Sequence, residues 1–178
     1  MNILIFIIIS NFLFLIHYII SIISLFELKN LFIILGYYIL LIHHIEQYII
    51  TDYNKEKELY DNDNKNNCIY YKEIIGYILL FIYYILNFTT MEYLNIYTII
   101  YSNISILTFS ISILNRLNNI YSTLFNNIEY IFNILFYGLF GLLSIKFLDY
   151  LFIIASLLAI IFYLIHICKY IFGIYVVV

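Results

Sequence analysis

Long apolar runs alternate with short polar interruptions along this chain, and their spacing predicts helices that cross a bilayer. The first run, Asn2 to Phe26, ends in the polar turn Phe26-Glu27-Leu28-Lys29-Asn30, and Leu31 to Ile50 is apolar again. A run of ~20 residues, each rising about 1.5 Å, covers ~30 Å, the thickness of the hydrocarbon layer. These two runs therefore read as a helical hairpin with spans over 3–26 and 31–50. The first run lacks a basic leading region and has no Ala for a cleavage site, so it is expected to be a retained span and not a signal peptide.

The stretch Thr51 to Glu73 (TDYNKEKELYDNDNKNNCIYYKE) breaks the pattern, and 51–68 is expected to be a solvated, partly disordered polar loop. The third span is placed at 69–88, because Ile74 to Phe88 alone covers only ~22 Å. Lys72 and Glu73 would then sit at the interface, snorkelling or pairing there. A fourth span, 96–114, carries Ser102, Asn103, Ser105, Thr108, Ser110 and Ser112 and is better placed against protein than lipid. Between Asn115 and Asn133 polar residues recur at helical spacing. An interfacial amphipathic turn or two is expected at Asn115 to Phe125, leading into a fifth span at 126–145. The sixth span is 151–168. The pattern as a whole predicts an all-α integral membrane helical bundle of about six transmembrane helices, forming a single domain over 1–178.

Composition sharpens this. The chain is 65% hydrophobic and 11% charged, with a mean hydropathy of +1.00, against about 25% charged residues in soluble domains. A soluble fold is excluded, and the lipid bilayer is the first partner. Ile, Tyr, Phe and Asn are abundant while Pro and Trp are absent, the residue bias of an AT-rich coding genome. Asn and Tyr content alone is therefore no evidence of a role. The net charge of −3, without a basic patch, argues against a nucleic-acid partner. Two cysteines, Cys68 and Cys168, make no disulfide framework.

With six spans, Lys55, Lys57, Lys65, Lys72, Arg116 and Lys169 fall on one side, and Lys29 and Lys146 on the other. The positive-inside rule then puts both termini and the polar loop on the cytosolic or matrix side. An internal organelle membrane, of the endoplasmic reticulum system or the mitochondrion, is the expected location.

Candidate chemistry is sparse. His17 and His43, on adjacent predicted helices, are weak candidates to meet across the hairpin, where imidazoles can hold a metal or haem. Bulky Ile, Leu and Phe around both leave little room for a macrocycle, so no cofactor and no metal are expected. Glu46 shares a face with His43 and Gln47 but lies about one turn from the helix end, where it can snorkel. The stronger feature is the fifth-span face of Asn126, Glu129, Asn133, Gly138, Gly141 and Ser144, suited to packing within the bundle or to another membrane subunit. No nucleophile with a base, phosphate cradle or other catalytic motif is present. The leading expectation is a structural or accessory subunit of a membrane assembly. A small-solute or ion transporter is the alternative, and a haem- or metal-binding membrane enzyme subunit the second.

Overall fold

The structure, a computed structural model, describes residues 3–24, 27–56, 63–89, 96–117, 123–146 and 149–171. They form six α-helices: α1 (Leu4–Ser24), α2 (Leu28–Glu56), α3 (Asp63–Thr89), α4 (Ile96–Leu117), α5 (Thr123–Lys146) and α6 (Tyr150–Ile171). No strand occurs among the described residues. All of these helices except α4 are long and apolar enough to cross a membrane, which is compatible with a multi-pass membrane protein.

Two boundaries differ from the sequence reading. Helix α2 continues to Glu56 and α3 begins at Asp63, both inside the stretch expected to be a loop. Charge keeps a segment out of hydrocarbon but does not oppose helix, and Lys and Glu are good helix formers once the chain has left the apolar layer. Residues 57–62 of the expected loop lie outside the described residues. Of the interfacial turn expected at Asn115 to Phe125, α4 takes in the residues up to Leu117 and α5 those from Thr123, and 118–122 lie outside the described residues.

Each helix packs on its neighbours in the chain, and α6 returns to pack on α1. The result is a closed ring of six antiparallel helices. The burial pattern shows why: in α3, Glu73, Tyr77, Leu80 and Tyr84 are buried at helical spacing while Ile75, Ile78 and Ile85 are exposed. A ring in lipid presents apolar side chains outward and can keep its polar ones inside. Helix α4 does this most fully. Ser102, Ser105, Thr108 and Ser112 are buried, whereas Ile100, Leu107 and Leu114 face outward. Three of its hydroxyls bond the preceding turn: Ser105 donates to the Tyr101 carbonyl at 2.7 Å, Thr108 to Ile104 at 2.7 Å and Ser110 to Ile106 at 2.7 Å, whereas the buried hydroxyls of Ser102 and Ser112 make no hydrogen bond among the described residues.

Helices α2 and α3 come closest at Gly36 and Gly76. A Cβ on Gly36 would lie 2.8 Å from Leu80 and 3.2 Å from the Gly76 carbonyl, and one on Gly76 would lie 2.7 Å from Leu40. Only glycine at both positions lets the two backbones approach this far.

The middle of the ring is filled by aromatic side chains from every helix. Phe14 of α1 stacks on Tyr37 of α2 (centroids 5.0 Å) and on Tyr137 of α5 (5.7 Å), and meets Phe152 of α6 edge-on (5.0 Å). On the other side Tyr84 of α3 contacts Tyr101 and Phe109 of α4 and Phe136 of α5. Phe136 in turn touches Tyr137, joining the two groups into one layer.

Candidate functional site

The aromatic layer separates two cavities of about 240 Å³ each, one toward either end of the ring. The first is lined by side chains of all six helices, among them Leu4, His44, Glu73, Arg116, Tyr130 and His166. It lies at what is here termed the charged end, where α2, α4 and α6 finish.

Three ionisable side chains organise that end. Glu73 projects inward about three turns into α3 and is only 4% exposed; Glu129, between one and two turns into α5, is 1% exposed. Arg116, in the last turn of α4, joins them. Its Nε and Nη2 donate to the two oxygens of Glu73 at 2.8 and 2.9 Å, a bidentate pair, while Nη1 donates to Glu129 Oε2 at 3.0 Å. Asn115 donates to Glu129 Oε2 and also to Asn126 Oδ1, the latter at 2.8 Å. His43 Nε2 stands 3.5 Å from Glu73 Oε2. One guanidinium thus serves two carboxylates, and with both ionised the trio carries one net negative charge. Buried charge inside a membrane ring is costly unless paired, which is why these groups converge from three different helices.

His44 extends the site. Its Nδ1 lies 2.6 Å from the Leu40 carbonyl and 3.3 Å from the Asn11 amide of α1. A carbonyl only accepts, so the shorter contact requires the hydrogen on Nδ1 and leaves Nε2 as the acceptor of the neutral ring; the Asn11 amide nitrogen, itself a donor, then makes no hydrogen bond to Nδ1. The cavity wall beside it is aromatic, formed by Tyr77, Tyr130, Phe162 and Tyr163.

The opposite cavity is lined by His17, Tyr101, Phe140, Leu143, Ser144, Asp149 and Phe152. Among the described residues, an ion pair there joins His17 Nδ1 to Asp149 Oδ2 at 2.9 Å, with both side chains about a quarter exposed. Ser21 lies within 3.2 Å of His17 Nε2.

The residues singled out from the sequence are distributed across these sites. His17 and His43 do not meet: one pairs with Asp149 at the opposite end and the other with Glu73 at the charged end. Glu46 pairs with Lys72 on the outside of α2 and α3. Asn126 and Glu129 belong to the Arg116 network, and Asn133 donates to the Glu129 carbonyl within its own helix at 2.9 Å. Ser144 is buried and bonds the Phe140 carbonyl, and a Cβ on Gly141 would lie 3.3 Å from Ser156 of α6. Gly138 looks outward, where an added Cβ would meet nothing within 4 Å. Sequence reasoning passed over Glu73, Arg116, Asn115, His44 and Asp149. Among the described residues no group of three or more His, Cys, Asp or Glu converges as a metal site.

Compared with protein-family models, curated proteins and solved structures, the chain matches none.

Proposed function

We propose that this chain is a multi-pass membrane carrier for a small polar solute or ion, with the charged-end cavity as its binding site. The observation that carries this reading is a cavity lined by all six helices, whose wall includes Glu73 and Arg116, with Glu129 bonded to Arg116 behind them. Ionisable groups turned toward the interior of a membrane bundle characteristically mark solute or proton pathways. A second cavity opens toward the other end, and the aromatic layer between the two would serve as the barrier that a carrier must open on one side at a time. In this reading α4 is the sixth span, its hydroxyls turned inward. The charged end faces the cytosol or matrix, since six of the eight Lys and Arg residues fall there in the sequence.

The test is electrical. Purified protein in proteoliposomes on a solid-supported membrane should give charge-displacement currents with at least one member of a panel of inorganic ions, small amines and amino acids. Glu129→Gln should abolish that current. Currents equal to those of protein-free liposomes across the whole panel would overturn the carrier reading.

An accessory role within a larger membrane assembly is the second reading. It is favoured by Gly138, which leaves a notch on the outer face of α5 where another membrane helix could approach. A stoichiometric companion in mild detergent, lost on Gly138→Leu, would select it.

A further inference from the structure

We infer that the charged-end cavity takes a small organic ammonium, an amine with a compact apolar body, in preference to an inorganic cation or an anion. The inference deepens the carrier reading but stands on binding geometry alone.

Size decides first. The cavity measures about 240 Å³, whereas a single water needs only about 10–15 Å³ by the same kind of measure, and a dry cavity of roughly 150 Å³ admits benzene. The space is far larger than a bare monovalent ion would fill and fits a molecule of about ten heavy atoms.

Charge decides second. Arg116 is the cation of the cluster, and three of its five N–H groups are committed to Glu73 and Glu129. An anionic ligand at the remaining two would add a third negative charge beside the two carboxylates. The surplus of one negative charge favours a cation instead.

The third observation is an acceptor left open to the cavity. His44 is 7% exposed, lines the cavity and holds Nδ1–H against the Leu40 carbonyl, while Nε2 makes no hydrogen bond among the described residues. An acceptor that faces a cavity in this way can take a donor from a ligand. An ammonium N–H supplies one, and the remaining N–H groups would face the Glu73 carboxylate, with Glu129 adding its charge from behind Arg116. The faces of Tyr77, Tyr130, Phe162 and Tyr163 would hold the apolar body and add cation–π attraction. Among the described residues the other imidazoles near the cavity are His43, beside Glu73, and His166, against Tyr130 and Phe162, with Lys169 the nearest cation to it. A protonated His43 would cancel the surplus charge, so the measurement belongs at pH 8, where an ordinary imidazole is neutral.

The experiment is calorimetric titration of the full chain in lipid nanodiscs with three isosteres: benzylammonium, benzyl alcohol and benzoate. Benzylammonium should bind about tenfold or more tightly than benzyl alcohol, and benzoate more weakly than either. Sodium and potassium chloride at equal ionic strength should not compete beyond their common screening effect. In Glu129→Gln, checked for monodisperse elution and helical circular dichroism, the preference for the ammonium should fall to about threefold or less. The wild-type comparison alone decides the matter if that variant does not fold. Equal binding of all three compounds, tighter benzoate binding, or no binding of benzylammonium would each overturn the inference. Its fate is separable from that of the carrier: benzylammonium binding without solute currents would sink transport and leave the site, while currents with uncharged or anionic solutes and no ammonium preference would do the reverse.

Discussion

The two cavities are equal in volume and opposite in construction. At the charged end, two carboxylates and a guanidinium are buried and tied across α3, α4 and α5, with Asn115 and Asn126 completing the shell. At the opposite end the His17–Asp149 pair sits partly exposed among Phe140, Leu143 and Phe152. A buried pair has lost its water and depends entirely on its partner, whereas a half-exposed pair retains solvent as a substitute. The same type of interaction is therefore structural and highly constrained at one end and nearly dispensable at the other. The mutations below are ranked by that difference.

Arg116→Leu is expected to have the largest effect, because it strands Glu73 and Glu129 together without a counter-charge. Removing one partner of a buried ion pair costs about 3–5 kcal/mol, and loss of folded protein in detergent is the expected outcome. Adding Glu73→Gln and Glu129→Gln in the Arg116→Leu background should restore much of the loss, since the amides remove the uncompensated charge. If the triple variant were no more stable than the single one, the cluster would owe its importance to packing and not to charge. Glu129→Leu should follow, at roughly 2–3 kcal/mol, by leaving Asn115 and Arg116 short of an acceptor, while Glu129→Gln should cost about 1 kcal/mol. Thermal unfolding of both variants in one detergent measures the gap, and equal stability would contradict the network.

The helices were legible in the sequence because a membrane allows few alternatives to a long apolar helix. The charged site was only partly so. Glu129 stood out because Asn126 and Asn133 flank it on one face. Glu73 adjoins Lys72 beside the polar stretch, and proximity in sequence suggested an interfacial pair; the telling signal was its phase with Tyr77, Leu80 and Tyr84, all buried. Arg116 similarly continues the inward face of Ser105, Phe109 and Ser112, although its place near the end of α4 made it look like a loop residue. The return of α6 onto α1 has no local signature, because it follows from the crossing geometry of all six helices together. For the same reason the hairpin depth of His17 and His43 said little about whether they meet.

Between the two cavities, Phe14 tests the aromatic layer. It is fully buried and touches rings of α2, α5 and α6. In soluble proteins Phe→Ala costs about 3–5 kcal/mol. Here about 1–3 kcal/mol is expected, since lipid tails are as apolar as the site and only the packing contacts are lost. The functional consequence would exceed the energetic one, because the vacated space would connect the cavities. Phe14→Ala proteoliposomes should leak protons faster than wild type under an imposed pH gradient. An unchanged leak at retained stability would place the barrier elsewhere.

The smallest effect is expected at Asp149, and it isolates what an ion pair contributes at the exposed end. Asp149 has two roles: its Oδ1 accepts from the Phe152 amide at 3.2 Å, capping the start of α6, and its Oδ2 faces His17. Asn caps a helix about as well as Asp, so Asp149→Asn removes the charge and keeps the cap. With both partners in contact with solvent, about 0.5 kcal/mol or less should be lost. Asp149→Ala removes both and should cost about 1 kcal/mol, the ordinary value of an N-cap. The difference between the two variants in thermal unfolding is thus attributable to the cap, and the Asn variant alone reports the pair. A loss in Asp149→Asn comparable to that in Arg116→Leu would mean that this pair is shielded as fully as the charged cluster, and that the contrast between the two ends does not hold.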